Sequence, residues 1–281
     1  MSNYTILHLH TMLSNAVTNI DSVDTYKNFI NKASECGMKA LAFSEHGNVL
    51  GWTSKKKEIE AHGMKYIHAE EFYVTENLND KIRDNYHCLL IAKNYDGVLE
   101  LNKLSTISFN RNDNHFYYQP RISYDELVNT SDNIIICTAC LGGILSKGHK
   151  DLKNKFFNFI RRHKDRCFFE IQHHQSTDQK EYNKILYDIA TKYGIRLVMT
   201  TDTHALSEQS LKARAIMQKA KNVHFDEEDE FDIVFKTYNE LVESCKKQNA
   251  IPMSAYLEAI ENTNVIADMV EEFTLDTEYK R

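Results

Sequence analysis

The chain has 281 residues, is 42% hydrophobic and 26% charged, and carries a formal net charge of −6 at pH 7. Its length fits one large α/β domain with an appendage better than two equal domains. The acidic balance argues against a protein that coats nucleic acid by charge alone, since that requires clustered Lys and Arg. No apolar stretch approaches the ~20 residues of a membrane span, and the first residues lack a secretory signal. We therefore expect a soluble cytoplasmic protein without a membrane partner.

The first half of the chain alternates predicted strands with predicted helices. A first strand is expected over 4–10, and Asp21 can cap a helix whose apolar positions keep helical spacing up to Gly37. Further strands are expected over 39–44, 65–74 and 87–92, and further helices over 53–62 and 96–107. The period is that of a β/α fold.

The second half continues this alternation and then becomes helical. A long loop (109–120) and a short helix (124–128) come first. Strands are expected over 133–138, 167–172 and 196–201, and helices over 152–163 and 178–193. After Leu206 the pattern predicts a helix to about Lys221, an acidic stretch (226–230) and helices over 238–247 and 253–273. Seven strands that alternate with helices predict a parallel sheet, and polar residues at strand ends favour closure into a barrel.

Three separated pieces of sequence carry side chains suited to metal binding. His8 and His10 lie two residues apart in a predicted strand, so they share one face. Asp202 and His204 end the seventh strand in the same way, and His46 follows the second. Imidazole and carboxylate groups are ligands of borderline and hard divalent ions. One such residue alone is more often a satisfied core or surface group, but two pairs predict a metal centre.

Other residues with useful chemistry leave alternatives open. A carboxylate in a buried strand, as at Glu71, costs stability unless it is paired or bound to metal, whereas Glu70 is expected at an exposed edge. His87 either binds metal or hydrogen-bonds to a loop. Cys140 is expected to reach the site, while Cys137 packs in the core.

Some features have a structural explanation, and some motifs are missing. The basic runs 55–57 and 161–164 are expected to be solvated helix faces. The pair at 173–174 either contacts substrate or forms a solvated turn. The sequence has no G-x-S-x-G, P-loop, dinucleotide glycine pattern or H-E-x-x-H, which disfavours serine nucleophiles and nucleotide cofactors.

Taken in order, these segments resemble the polymerase and histidinol phosphatase (PHP) domain at the N-terminus of bacterial DNA polymerase III α subunits. The matching segments are HLH at 8–10, AFSEHGN at 42–48, EFYV at 71–74, HCLLIAKN at 87–94, ACLGG at 139–143, FEIQ at 169–172 and TDTH at 201–204. The resemblance implies a distorted (β/α)7 barrel of the PHP type over 1–220. A helical C-terminal extension, 221–281, resembles the linker to a polymerase palm.

The resemblance also implies a ligand set for two or three divalent metal ions (Zn, Mn, Fe or Mg). Carried over residue by residue, the ligands are His8, His10, His46, Glu71, His87, Cys140, Asp202 and His204. Five of them are also the predicted catalytic residues: His8, His10, His46, Asp202 and His204. One departure is that Val17 stands where the family places an acidic ligand, so either Asn15 or Asp21 is expected to replace it.

The function implied by the resemblance is that of a metal-dependent phosphoesterase, most specifically a 3′→5′ exonuclease acting on DNA 3′ ends. Its partner would be a replicative polymerase core, or a longer parent chain that is itself a DNA-directed DNA polymerase. Two alternatives stay open: a small-molecule phosphomonoesterase of the histidinol phosphatase type, and a non-catalytic structural module of a polymerase. The change at Val17 favours the structural module, and retention of the other eight positions opposes it.

Overall fold

The computed structural model describes residues 3–79, 81–223 and 231–275. Its strands are β1 (Ala40–Phe43), β2 (Lys65–Thr75), β3 (Tyr86–Ala92), β4 (Arg121–Ser123), β5 (Ile134–Cys137), β6 (Cys167–Gln172) and β7 (Arg196–Thr200). Six of these are the predicted strands from 39–44 onward, each shifted by no more than one residue at either end. The short strand β4 is not predicted by the sequence pattern.

The helices follow the predicted alternation, except that a short helix at 144–147 was not predicted and the last helix ends at Met269 instead of 273. They are α1 (Tyr26–Glu35), α2 (Trp52–Ala61), α3 (Tyr95–Ser108), α4 (Tyr124–Val128), α5 (Ile144–Lys147), α6 (Lys150–Arg162), α7 (Thr177–Tyr193), α8 (Glu208–Ala220), α9 (Tyr238–Gln248) and α10 (Met253–Met269). The cap of α1 is Thr25, whose side chain accepts a hydrogen bond from the Asn28 backbone, and not Asp21 as expected. The predicted acidic stretch 226–230 lies outside the described residues.

The N-terminal segment 4–10 is extended but does not form a regular strand. It makes isolated parallel bridges on two sides, pairing Ile6 with Leu41 of β1 and Leu9 with Thr203 beyond β7. His10 N donates to Thr203 O at 2.9 Å. Neither bridge continues into a regular ladder. The segment nonetheless joins the two ends of the sheet, and the fold is a distorted β/α barrel.

The prediction of an entirely parallel sheet is wrong. Its order is β1-β2-β3-β5-β6-β7, with β4 beside β2, and β3 runs antiparallel to both β2 and β5. The connection between β2 and β3 is too short for the helical crossover that a parallel pair requires. As a result, the start of β3, with His87, lies at the same mouth as the carboxyl ends of the parallel strands.

Alternate strand residues divide the core into two layers. One layer fills the barrel interior and the other packs between the sheet and the helices; Ala40 and Ala42 of β1 belong to the first, and Leu41 and Phe43 to the second. Helix α10 contributes to both layers, and its last turn enters the interior layer. Lys65 Nζ, at the start of β2, donates to two carbonyls at the end of this helix. Helix α10 therefore closes the barrel at the end opposite the mouth.

The two basic runs differ in their surroundings. Lys55 and Lys56 are only 2% and 4% exposed, so the prediction of a solvated face at 55–57 is wrong there. Burial is possible because Lys55 Nζ donates to Glu45 Oε1 at 2.6 Å and Lys56 Nζ lies over the Phe273 ring. Arg161 is exposed at the end of α6, as predicted. Within the described ranges, no helix combines the length and apolar character needed to cross a membrane.

Candidate metal centre

Imidazole rings from distant parts of the chain meet at the barrel mouth. The ring centroids of His8 and His10 are 5.1 Å apart, as expected for two residues on one face. The His10 ring stacks on that of His46 at 4.1 Å and on that of His204 at 4.4 Å. All four side chains are nearly or fully buried. The structure thus brings together the three pieces of sequence that predicted a metal centre.

Two predicted carboxylates lie among these rings. Glu71 Oε1 is 3.2 Å from His8 Nε2, and Glu71 Oε2 is 2.7 Å from His46 Nδ1. Asp202 Oδ1 is 3.2 Å from His8 Nε2 and 3.3 Å from His10 Nε2. Each carboxylate therefore contacts at least two imidazoles, with Glu71 at the centre.

Asp21 occupies the position that the sequence left open. Its Oδ1 atom lies 3.4 Å from His204 Nε2 and 3.5 Å from His46 Nε2, on the far side of the cluster from Glu71. Asn15 instead supports the loop, because its Oδ1 accepts a hydrogen bond from the backbone N–H of Asp21 at 2.6 Å. The loop therefore places a carboxylate among the histidines even though Val17 is not acidic.

His87 and Cys140 form the third side of the cluster. His87 Nδ1 lies 3.1 Å from Glu71 Oε1 and 3.4 Å from Cys140 Sγ. A Cβ on Gly142 would lie 2.9 Å from His87 Nδ1, so the loop can approach this ring only with glycine there. Cys137 is buried in the barrel interior, as predicted.

The fit of this cluster to metal ions can be tested from its hydrogen bonding. Several buried atoms have no hydrogen-bond partner among the described residues although imidazole and carboxylate groups lie close by: His8 Nε2, His10 Nε2, His46 Nδ1, both Glu71 oxygens, both Asp21 oxygens and Asp202 Oδ1. Buried polar atoms are normally satisfied, so these atoms point toward shared positions between them. Three groups could hold an ion, each with ligand atoms within 4.8 Å of one another: His10-Asp21-His46-His204, His8-His10-Glu71 and Glu71-His87-Cys140. The donor set fits divalent metal.

The other ring nitrogen of three histidines is held by a neighbouring group. His204 Nδ1 donates to the Asp202 carbonyl at 2.8 Å, and His8 Nδ1 lies 2.7 Å from Glu170 Oε1. His10 Nδ1 lies 3.3 Å from Ser14 Oγ, whose own proton is donated to Glu45. With the proton on Nδ1, each ring presents the lone pair of Nε2 to the cluster, as a metal ligand must.

The charges in the cluster shift one another strongly. Burial raises the pKa of Asp21, but His204 and His46 outweigh it and hold the pKa well below the usual value. The pKa of Glu71 is lowered in the same way, against burial, by His87, His8 and His46. Burial, together with His46 and His204, lowers the pKa of His10 to about 4. The carboxylates are therefore ionised and His10 is neutral at pH 7, as metal binding requires. Burial lowers the pKa of His8 and His46, but nearby acidic groups outweigh it and hold both pKa values well above the usual one, so these two rings would release a proton when metal binds.

The backbone next to the cluster is unusual at Asp202. Its φ of +46° lies in the left-handed region, which non-glycine residues seldom adopt. This conformation lets Asp202 follow β7 while its carboxylate turns back toward His8 and His10. Strained residues of this kind are concentrated at functional sites.

Two supporting carboxylates were not singled out from the sequence. Glu170 lies in β6, where a carboxylate inside a buried run gives the same signal that identified Glu71. Glu45 directly precedes the predicted ligand His46. It is 1% exposed and accepts hydrogen bonds from Thr11 and Ser14 as well as from Lys55. Its charge next to a lysine-rich helix could have suggested this role.

Three further titratable side chains, those of His173, His174 and Glu70, are buried. The alternative of a solvated turn at His173 and His174 is wrong, because both are 0% exposed. His173 Nδ1 contacts Ser244 Oγ at 3.0 Å, and the His174 ring stacks on Phe231. Glu70 is also 0% exposed, because both faces of β2 are covered, so the exposed edge is wrong as well.

The chain is similar in sequence to several known proteins. The sequence model of the PHP domain family matches residues 7–174. Aquifex aeolicus DNA polymerase III subunit alpha is 32% identical over 78% of this chain and 20% of its own length, and that of Borreliella burgdorferi is 30% identical over 98% and 24%. The chain thus spans about a quarter or less of these relatives. A Chromobacterium violaceum amidohydrolase, solved with bound sulfate and no metal, covers 74% of this chain with a TM-score of 0.47 and 12% identity; the match covers 89% of the amidohydrolase.

Proposed function

The chain belongs to the PHP domain family, and we propose that it is a metal-dependent phosphoesterase that removes nucleotides from the 3′ end of DNA. The observation that carries this proposal is the buried cluster of imidazole and carboxylate atoms without hydrogen-bond partners among the described residues. Similarity to DNA polymerase III alpha subunits supports DNA as the substrate over a small phosphate ester.

In this proposal the cluster holds two or three divalent ions, chosen from Zn, Mn, Fe and Mg. Asp21 joins the eight ligands implied by the resemblance, which are His8, His10, His46, Glu71, His87, Cys140, Asp202 and His204. Ions bound there would polarise the phosphoryl group and activate a water molecule for hydrolysis. Glu71 belongs to two of the three groups, so it would contribute a carboxylate oxygen to either.

The chain's own residues would prepare this site before substrate arrives. Glu170 and the Asp202 carbonyl fix the orientation of the His8 and His204 rings. Ser14 does the same for His10 and is itself held by Glu45. Such supporting hydrogen bonds keep ligands in place and raise their basicity. The predicted catalytic residues His8, His10, His46, Asp202 and His204 are therefore the core of the proposed site.

We also propose that the chain works as part of, or beside, a replicative DNA polymerase. The relatives named for such a subunit are about four times as long as this chain, since 78% of the chain covers 20% of one and 98% covers 24% of the other. In that setting, 1–220 is the phosphoesterase barrel and 221–281 is the connection toward a polymerase palm. The tight packing of α10 against β7 means that barrel and extension would fold together.

The proposal is tested by comparing two substrates with the same protein. A 3′-recessed DNA duplex labelled at its 5′ end and histidinol phosphate are incubated side by side with Mn²⁺, and each reaction is repeated with a chelator and with Asp202→Asn. We expect stepwise shortening of the labelled strand that the chelator and the variant both abolish. Hydrolysis of histidinol phosphate alone would contradict the choice of DNA. No hydrolysis of either, with no metal bound to the purified protein, would instead support a structural module.

A further inference from the structure

A largely exposed group of aromatic and arginine side chains lies where the loop before β4 meets the connection between β2 and β3. The Arg83 guanidinium is 3.4 Å from the centroid of the Tyr118 ring, and the Arg111 guanidinium is 4.2 Å from that of Phe116. Tyr118 is still 61% exposed, although the Tyr117 ring also contacts it in a T-shaped arrangement at 4.8 Å. We call Arg83, Arg111, Phe116 and Tyr118 the Arg83–Tyr118 platform.

The platform lies beside the mouth of the barrel. Pro120 packs so closely on Gly47 that a Cβ there would be 2.7 Å from Pro120 Cγ, and Gly47 follows the predicted ligand His46. Tyr73, which pairs with the first residue of β4, stacks its ring on His46 at 5.7 Å. Tyr118 is two residues before Pro120, so their Cα atoms are at most about 7 Å apart. A strand lying on the platform could therefore reach the candidate metal centre.

Packing does not explain why Tyr118 is where it is. Its φ of +64° is in the left-handed region, which is costly for a large side chain, and an exposed ring buries little surface in return. A second feature of the platform is the charge of its arginines. Of the three arginines around this loop, only the buried Arg121 is paired with a carboxylate of a described residue, that of Asp84. Arg83 and Arg111 are exposed.

We propose that the Arg83–Tyr118 platform binds single-stranded DNA by stacking unpaired bases, and so directs a 3′ end into the candidate metal centre; this rests on the proposed function. Aromatic faces accept any base, which suits a site that must act on every sequence. Guanidinium planes stack on bases and pair with phosphates, so the exposed arginines complement the charge of the strand.

The test measures binding without turnover. A fluorescent single-stranded oligonucleotide with a phosphorothioate 3′ linkage, and an abasic strand of the same length, are titrated with wild-type protein, Tyr118→Ala and Tyr118→Phe. Fluorescence anisotropy gives Kd. We expect Tyr118→Ala to bind the oligonucleotide about 5- to 100-fold more weakly, because one stacked base is lost. Tyr118→Phe keeps the ring and should bind like the wild type. The abasic strand should not distinguish the three proteins.

Equal affinities of wild type and Tyr118→Ala for the oligonucleotide would contradict the proposal. So would a loss of affinity in Tyr118→Ala that is equally large with the abasic strand. Arg83→Gln gives a second readout that leaves Tyr118 in place. We expect it to reduce the slope of log K against log salt by about 0.7, since one phosphate contact is lost; an unchanged slope would count against the proposal. If binding depends on Tyr118 but the protein hydrolyses no DNA, the proposed exonuclease activity is wrong and the proposed DNA-binding role of the platform stands.

Discussion

Glu170 Oε1 lies 2.7 Å from His8 Nδ1, and the same oxygen accepts a hydrogen bond from Thr200 Oγ1 at 2.6 Å. Both carboxylate and ring are fully buried. The opposite nitrogen of the ring, Nε2, lies 3.2 Å from both Glu71 and Asp202. Glu170 therefore fixes the ring from behind, so that its free nitrogen faces the shared carboxylates.

This relationship predicts that Glu170 supports metal binding without being a ligand. Glu170→Ala should weaken metal affinity by about 10- to 100-fold, because His8 loses its orientation and part of its basicity. Glu170→Gln should lose less, since an oxygen remains to accept from His8. Competition with a chromogenic chelator measures the affinities. Glu258→Gln, on the exposed side of α10, is the matched control. Equal affinity in Glu170→Ala and wild type would remove Glu170 from the site.

Asp21 should replace the acidic ligand missing at Val17. In Asp21→Asn we expect the metal content to fall by about one equivalent per chain, because the group with His10, His46 and His204 loses its only carboxylate. Elemental analysis of the purified protein measures the stoichiometry. Asp132→Asn serves for comparison because that side chain is 84% exposed. Full metal content in Asp21→Asn would show that this group holds no ion.

The buried pair of Lys55 and Glu45 should contribute strongly to stability. Lys55→Met leaves the Glu45 charge buried with only hydroxyl and backbone donors, which should cost roughly 3–5 kcal/mol in the free energy of unfolding. Adding Glu45→Gln should recover part of the loss. Urea denaturation compares these variants with Lys57→Met, which removes an exposed lysine of the same helix. A loss no larger than that of Lys57→Met would contradict the prediction.

His68 should make stability depend on pH. Burial lowers its pKa to about 3, while its ring nitrogens contact Tyr66 and Asn102. A histidine with a lowered folded pKa contributes fully above its unfolded pKa near 6.5, and this contribution is lost as the pH falls toward 3. Between pH 7 and 4.5 the wild type should therefore lose about 2–3 kcal/mol that His68→Gln does not lose. Urea denaturation at each pH measures the free energy of unfolding. An equal decrease in wild type and His68→Gln between pH 7 and 4.5 would contradict the prediction.

Much of the candidate site could be predicted because its signals are local. His8 with His10, and Asp202 with His204, show a two-residue spacing next to apolar runs, and such a spacing has one structural meaning in an extended chain. Asp21 carries no such signal, because it lies in an irregular loop whose path depends on Asn15. The same reasoning applied to Glu71 would have found Glu170.

The parts that the sequence did not reveal depend on tertiary contacts. The periodicity of β3 identifies a strand but not its direction, which follows from the short connection to β2. Lys55 has the local pattern of a solvated helix residue, and only the distant Glu45 allows it to be buried. Glu70 was assigned to an edge because its neighbours in sequence do not show that both faces of β2 are covered.

Anomalous diffraction at the Mn and Zn edges, from crystals grown with either ion, tests the central claim most directly. We predict anomalous peaks at the barrel mouth, each about 2.0–2.3 Å from atoms of the His10-Asp21-His46-His204 group or of the groups that share Glu71. Absence of any peak there, with the same imidazoles and carboxylates hydrogen-bonded directly to one another, would contradict a metal centre and the phosphoesterase built on it.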